Sequence, residues 1–268
     1  MTTSSAHADD ELPSVPLKHP FPRSVALLVL AVGQLVSPVV SQIYGSEFTT
    51  ADRPGKPPIV PVGWAFSIWF LVELLCLAYA AWALPAHRPD LDVRNELARP
   101  LAVVFAGFTC WLIAAEVEPV WTTVVIFAVM VIGLLKVLEI ALRHRQGTAR
   151  WPRPPRALLW WMLGIYAGWS TMAVWINLTT ALAGSGMPIT GPVGVGAQLL
   201  VLAGATTTAA LVIRWTRGLL PYVLAASWAL LTVAVGAGAA DEPVLPTAAA
   251  VGLATTAAAA VTARRRWP

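Results

Sequence analysis

Eight apolar runs, each about 20 residues long and so able to cross roughly 30 Å of hydrocarbon as a helix, leave this chain few folds to choose from. They lie at 24–45, 61–84, 98–117, 119–143, 156–183, 193–213, 219–239 and 245–263. The runs are continuous rather than alternating, and a spanning helix satisfies its own backbone hydrogen bonds, so helices are expected rather than barrel strands. With 57% hydrophobic and only 12% charged residues in 268, one water-facing core could not cover the apolar surface. The expectation is an all-α integral membrane protein, an eight-span helical bundle whose first partner is the lipid bilayer. Low charge, the lack of a strict glycine period and two cysteines exclude a disordered chain, a collagen and a disulfide scaffold.

The basic residues test the span count, because a wrong count would scramble their alternation between the two sides. Lys18, Arg23, Arg88, Arg94, Arg99, Arg143, Arg145, Arg150, Arg153, Arg156, Arg214, Arg217, Arg264, Arg265 and Arg266 all fall on one side, with Arg53 and Lys56 opposite and Lys136 inside a span. Both termini are therefore expected in the cytoplasm. The acidic loop residues Glu47, Asp52, Glu116, Glu118, Asp241 and Glu242 take the other side. The net charge of +4 is then a matter of topology and calls for no nucleic-acid partner. Residues 1–23, polar and proline-rich, read as a disordered cytoplasmic tail, and the first apolar run is too long for a signal peptide. A compact chain without transit features suggests a bacterial plasma membrane. Between the third and fourth runs Glu116, Glu118 and Pro119 break the apolar pattern, and Pro119 can open the next helix.

The 13 tryptophans are distributed unevenly. Trp82, Trp151, Trp160, Trp161, Trp215 and Trp267 spread over many segments at the cytoplasmic ends, as an interfacial belt does. In the outer half Trp64, Trp69, Trp111, Trp121 and Trp175, with Trp169 near the middle, occur only on spans two to five. A belt would not choose helices in this way, so an aromatic cavity opening outward among spans two to five is expected. At roughly 100° per residue, Tyr166, Trp169, Ala173 and Asn177 share an arc of about 80°, with Trp175 on the opposite side. Phe66, Trp69 and Glu73 share an arc of about 60°, with Trp64 at the helix entrance, placed to roof the cavity.

Glu73 stands near the bilayer midplane, where an ionised carboxylate costs at least about 2.5 kcal/mol. It is either protonated, bonded to a polar group of another helix, or facing the cavity as a ligand contact or proton relay, and its shared face with Trp69 favours the last. Lys136 and Glu139, three residues apart, can pair on one helix face. Cys76 and Cys110 sit singly within spans and read as packing residues; no span contains a histidine to hold haem or a metal. No phosphate loop, dinucleotide fingerprint, zinc spacing or nucleophile elbow occurs, so support for an enzyme is thin and no catalytic residue is assigned.

Two stretches resemble the tryptophan-rich sensory protein family (TspO/MBR), which includes the mitochondrial translocator protein. Pro61-Val-Gly-Trp64-Ala-Phe66-Ser-Ile-Trp69 is similar to the family's proline, Gly-Trp-x-Phe and following Trp, and Tyr166, Trp169, Ala173 and Asn177 match its fifth-helix spacing. The chain departs from it where Trp64 and Trp69 lie one residue closer together and where Glu73 replaces a usual tyrosine. The third-helix Asn and Trp-Ser-Pro signature is missing too, with Trp111, Pro119 and Trp121 as loose substitutes. The resemblance covers 24–183 and implies a divergent branch: a five-helix TspO-like core at 24–183 followed by a three-helix transmembrane extension at 184–268. It also implies a porphyrin, haem-like tetrapyrrole or sterol as bound ligand, with no cofactor required for folding.

The expected function is thus a membrane-embedded binding protein or sensor for a planar hydrophobic small molecule, its site drawn from Trp64, Phe66, Trp69, Glu73, Trp111, Trp121, Tyr166, Trp169, Ala173 and Asn177. The alternative is a small proton-coupled transporter using Glu73. Spans six to eight, rich in Gly, Ala and Thr, can seal the bundle, form a homodimer face or dock a partner.

Overall fold

A helix in lipid has no water to hide from, so close packing and satisfied polar groups, rather than the hydrophobic effect, must hold one helix against the next. The structure, a computed structural model, describes residues 21–44, 56–85, 87–117, 120–240 and 242–265. Its elements are α1 (Phe21–Tyr44), a 3₁₀ turn (Gly63–Ser67), α2 (Ile68–Ala83), α3 (Leu91–Val117), α4 (Val120–Arg143), the short α5 (Arg145–Thr148), α6 (Arg153–Gly184), α7 (Gly191–Trp215), α8 (Leu220–Gly238) and α9 (Val244–Arg265). Eight helical segments are long and apolar enough to cross a membrane, in register with the eight runs of the sequence. The tail before residue 21, the loop with Glu47, Asp52 and Arg53, Glu118, Pro119, Asp241, Arg266 and Trp267 lie outside the described residues.

Helix α6 is the centre of the bundle. Within its most apolar window 67% of residues are buried, against 28% for α1 and α9, and the run from Met162 to Met172 is buried on every face. It packs against α2 and α4 on one side and α7 and α8 on the other. Helices α1 and α3 complete the first group, while α9 lies across α7 and α8. Prolines set where helices begin: Pro154 and Pro155 open α6, Pro192 opens α7 and Pro221 opens α8, positions at which a missing N–H costs nothing. The chain reverses from α7 to α8 through Arg217 and Gly218, both with positive φ, and the Gly218 N–H returns to the Ile213 carbonyl at 2.8 Å.

Contact between α6 and α8 depends on two glycines. A Cβ on Gly164 would come within 2.7 Å of Pro221 Cβ, and one on Gly168 within 2.6 Å of the Tyr222 carbonyl oxygen. One turn further, Thr171 and Tyr222 share a 2.7 Å hydrogen bond between their hydroxyls.

At the arginine-rich end, Arg94 is buried and closes the C-terminus of α2. Its guanidinium donates to the carbonyls of Ala83, Pro85, Arg88 and Pro89 at the end of α2 and in the turn behind it, of which Pro85 also accepts the Arg88 backbone N–H. Beside it Trp82 meets Trp151 at 4.9 Å with the rings tilted by 41°, and the Trp151 indole donates to Asp90. These two tryptophans are packed protein contacts, which corrects their assignment to an interfacial belt; Trp161 and Trp215 are exposed, as belt residues would be.

Two boundaries also differ from the sequence reading. The second span opens as a 3₁₀ turn and becomes α-helix only at Ile68; the Ala65 carbonyl accepts both the Ile68 N–H of the turn and the Trp228 indole N–H of α8. The third span extends back to Leu91, as its charged first turns stand clear of the apolar run and carry Arg94 to α2. Lys136 and Glu139 pair at 2.8 Å as expected from their spacing.

The α6–α8 contact yields the first prediction. Gly168→Ala should destabilise the bundle by about 1–3 kcal/mol, since its neighbour is backbone and cannot yield. The thermal unfolding midpoint in detergent should fall accordingly, and Gly196→Ala, which meets open space, serves as the comparison.

Candidate functional site

Trp69 of α2 organises the candidate site. Its indole meets Phe108 at 4.8 Å, and it meets Tyr166 and Trp169 edge-on, at 5.9 and 6.2 Å with interplanar angles of 89°. Trp111 of α3 and Phe127 of α4 join this cluster, perpendicular to one another at 5.3 Å, while Phe66 of the 3₁₀ turn stands edge-on to Trp169 at 5.7 Å. Edge-to-face geometry places positive ring edges against negative faces, worth about 0.5–1.5 kcal/mol per pair beyond burial.

These rings enclose one side of a cavity. Pro61, Phe66 of the 3₁₀ turn behind it, Trp69 of α2, Trp111 of α3 and Phe127 of α4 line it, with Trp169, Met172, Ala173, Ile176 and Asn177 along α6. Val201, Leu202 and Ala205 of α7 and Ala229, Leu230 and Val233 of α8 close the remaining wall. Its free volume is about 40 Å³, room for a water-sized guest. The cavity is therefore not confined to spans two to five, as the tryptophan distribution suggested; spans six and seven supply a third of its wall through aliphatic side chains.

Polar groups at the cavity are few and sharply defined. Trp111 Nε1 donates to Asn177 Oδ1 at 3.0 Å, and Asn177 Nδ2 donates to the Ala173 carbonyl at 2.9 Å, so this amide is locked in one orientation. Trp169 is almost wholly buried, yet its Nε1 has no hydrogen-bond partner. A buried indole N–H without an acceptor is unusual, and it leaves a donor at this site to bond something else.

The residues chosen from the sequence divide into two sets. Phe66, Trp69, Trp111, Trp169, Ala173 and Asn177 come together at the cavity. Trp64 is 55% exposed and packs edge-on against Trp228 at 5.3 Å rather than roofing the site, and Trp121 is exposed, donating to Ser185 Oγ at 3.0 Å. Tyr166 is turned toward α1, where Gln34 Nε2 donates to its hydroxyl at 2.8 Å. Glu73 is buried one turn beyond Trp69 and is not among the lining residues. Trp175, expected away from the site, donates to Thr208 of α7 at 3.2 Å, its ring lying over Gly204.

Lining residues that sequence reasoning did not single out are Phe127, Met172, Ile176 and the aliphatic residues of α7 and α8, and Pro61 enters there only as part of the second-span motif. Only Phe127 carried an aromatic signal. The others are ordinary apolar residues in apolar spans, and nothing in composition distinguishes a cavity wall from a lipid face.

Fold and site together define an integral membrane helical bundle with an aromatic cavity at its centre. The family model of the TSPO-like proteins matches residues 24–262, and the chain belongs to that family. The match runs through α7, α8 and nearly all of α9, so it takes in the helices that close the cavity as well as those bearing the tryptophans. No curated protein and no solved structure matches the chain.

The Trp111–Asn177 bond should couple α3 to α6 measurably. In a double-mutant cycle of Trp111→Phe and Asn177→Leu read by thermal unfolding, the two changes should be non-additive by about 1 kcal/mol, the worth of one buried hydrogen bond.

Proposed function

We propose that this protein is a membrane-embedded binding protein or sensor for a planar apolar molecule of the tetrapyrrole or sterol class, with its arginine-rich end and both termini in the cytoplasm. The observation that carries this reading is the unpartnered Trp169 N–H beside a cavity walled by perpendicular aromatic rings. Flat apolar surface would be received by the ring faces and edges, and a single acceptor on the ligand would meet the indole. The lining residues include no charged side chain, histidine or cysteine, so the side-chain donors they offer a metal ion in the ligand are the Met172 thioether and the Asn177 amide oxygen.

Size sets a condition on the mechanism. A drug-sized ligand needs a pocket of roughly 300 Å³ or more, well above the free volume of the closed site, so binding must part its walls. The segment placed to move is the 3₁₀ turn bearing Phe66, which is held to α8 by the Trp228 bond to Ala65. Association is then slower than diffusion allows, since only the opened form accepts the ligand.

The test is a titration of the purified protein in detergent with protoporphyrin IX, haemin and a sterol, followed by tryptophan quenching for the porphyrins and competition for the sterol. Saturable binding should weaken about tenfold in Trp169→Phe, which keeps the ring and removes the N–H, and stay unchanged in Trp161→Phe and Trp215→Phe. Binding that none of these changes affects, or none that saturates, would reject the cavity as the site.

A further inference from the structure

On the outer surface of the bundle, far from any role in the cavity, α4 carries an ion pair inside its membrane span. Lys136 and Glu139 are 54% and 44% exposed and stand seven and four residues before Arg143, the last residue of α4. At 1.5 Å per residue they lie about 10 and 6 Å inside the helix end, against roughly 5–7 Å of headgroup region on each side of a bilayer. The pair is therefore placed where headgroups meet hydrocarbon, with the Lys136 side chain reaching Glu139 at 2.8 Å. Ionisable residues within spans usually face the bundle interior, so a pair turned outward calls for a partner from outside the chain.

Helices α4 and α7 both pack against α6 and leave a groove between them. Ile132 and Leu135 of α4 and Leu211 and Val212 of α7 make its apolar walls, and Lys136 and Glu139 supply its polar end. Trp215, the last residue of α7, lines the same groove and marks headgroup depth, as aromatic residues do at a membrane surface. The groove holds about 430 Å³ of open space, within the roughly 300–1,000 Å³ of small-molecule sites. Ile132 and Leu211 are 67% and 63% exposed, so it faces lipid. Both charges keep bonding capacity: Lys136 Nζ gives Glu139 Oε2 one of its three N–H groups, and Glu139 Oε1 has Arg143 Nε only at 3.9 Å, beyond hydrogen-bond distance. Arg143 is bonded instead to Glu96 of α3 at 3.0 Å, and Glu96 to His144 at 2.9 Å.

We propose that the α4–α7 groove is a site for one phospholipid molecule whose zwitterionic headgroup carries a primary amine. Lys136 donates to the phosphate, Glu139 Oε1 accepts from the ammonium, and an acyl chain lies along Ile132, Leu135 and Leu211, with Trp215 beside the glycerol. Charge complementarity selects this occupant. An anionic lipid would satisfy Lys136 but set a second negative charge against Glu139, and a quaternary amine has no N–H for Glu139 to accept. A spanning helix from a second copy would have to bring partners for both charges on an otherwise apolar face, whereas a zwitterion carries both on one headgroup already at that depth. The site stands whether or not the aromatic cavity binds a planar ligand.

Native mass spectrometry of the full chain in mild detergent, titrated separately with phosphatidylethanolamine, phosphatidylcholine and phosphatidylglycerol of matched acyl chains, gives the test. One phosphatidylethanolamine per chain should be held saturably, about tenfold tighter than either of the others, for one charge-assisted hydrogen bond. Glu139→Gln should erase the preference over phosphatidylglycerol, and Lys136→Gln should weaken all three lipids about tenfold. Leu211→Trp, which fills the groove and touches neither charge, should lose the bound lipid with the thermal unfolding midpoint unchanged. Arg150→Gln, at an exposed arginine between α4 and α6, should alter nothing. The proposal fails if the wild type holds no lipid saturably or holds either other lipid as tightly, or if Glu139→Gln keeps the preference. It fails too if Lys136→Gln and Leu211→Trp bind as the wild type does, if Arg150→Gln weakens binding as much as Lys136→Gln, or if the groove proves to join two copies in a dimer that Leu211→Trp abolishes.

Discussion

Everything in this bundle depends on α6 being packed on all sides. In lipid no solvent is released when helices meet, so association rests on van der Waals contact and on polar groups finding partners. Gly164 and Gly168 meet that demand on one face by letting the α8 backbone approach to contact. Thr171 adds to that face through its bond with Tyr222, and Tyr166 meets the demand on another through its bond from Gln34. Since those contacts fix the rotation of α6, they also decide that Trp169, Ala173 and Asn177 turn to the cavity and that Tyr166 turns away.

That division shows how the site could be partly seen in advance. A face of about 80° was enough to group Tyr166, Trp169, Ala173 and Asn177, but an angle says nothing of the level along the axis at which each meets a neighbour. Tyr166 lies within the arc but nearest the arginine-rich end, and there it is captured by α1. On the second span the same reckoning assumed continuous α-helix, whereas Phe66 belongs to a 3₁₀ turn with a different angular step. Phe66 still reaches the cavity, because the turn is held by Trp228, a residue of α8 that no local pattern ties to it.

Span number was legible because hydropathy records the bilayer directly, and the alternation of arginines followed from it. Arg94 was not legible as a helix-closing residue: in sequence it is one more positive charge beside a span, and only the fold brings it to the last carbonyls of α2. The aliphatic wall from α7 and α8 was hidden for a related reason. Val201, Leu202, Ala205, Ala229, Leu230 and Val233 would look the same facing lipid, and what sets them apart is their position opposite Trp69 and Trp169.

Trp69 stands where the cavity meets the polar residues of the bundle. Its ring lines the cavity and meets Tyr166 edge-on, and the Tyr166 hydroxyl in turn accepts from Gln34 of α1. A wholly apolar core of the same volume would be easier to insert than one that buries a carboxyl one turn below the pocket, so Glu73 is a cost that spanning the membrane does not itself require.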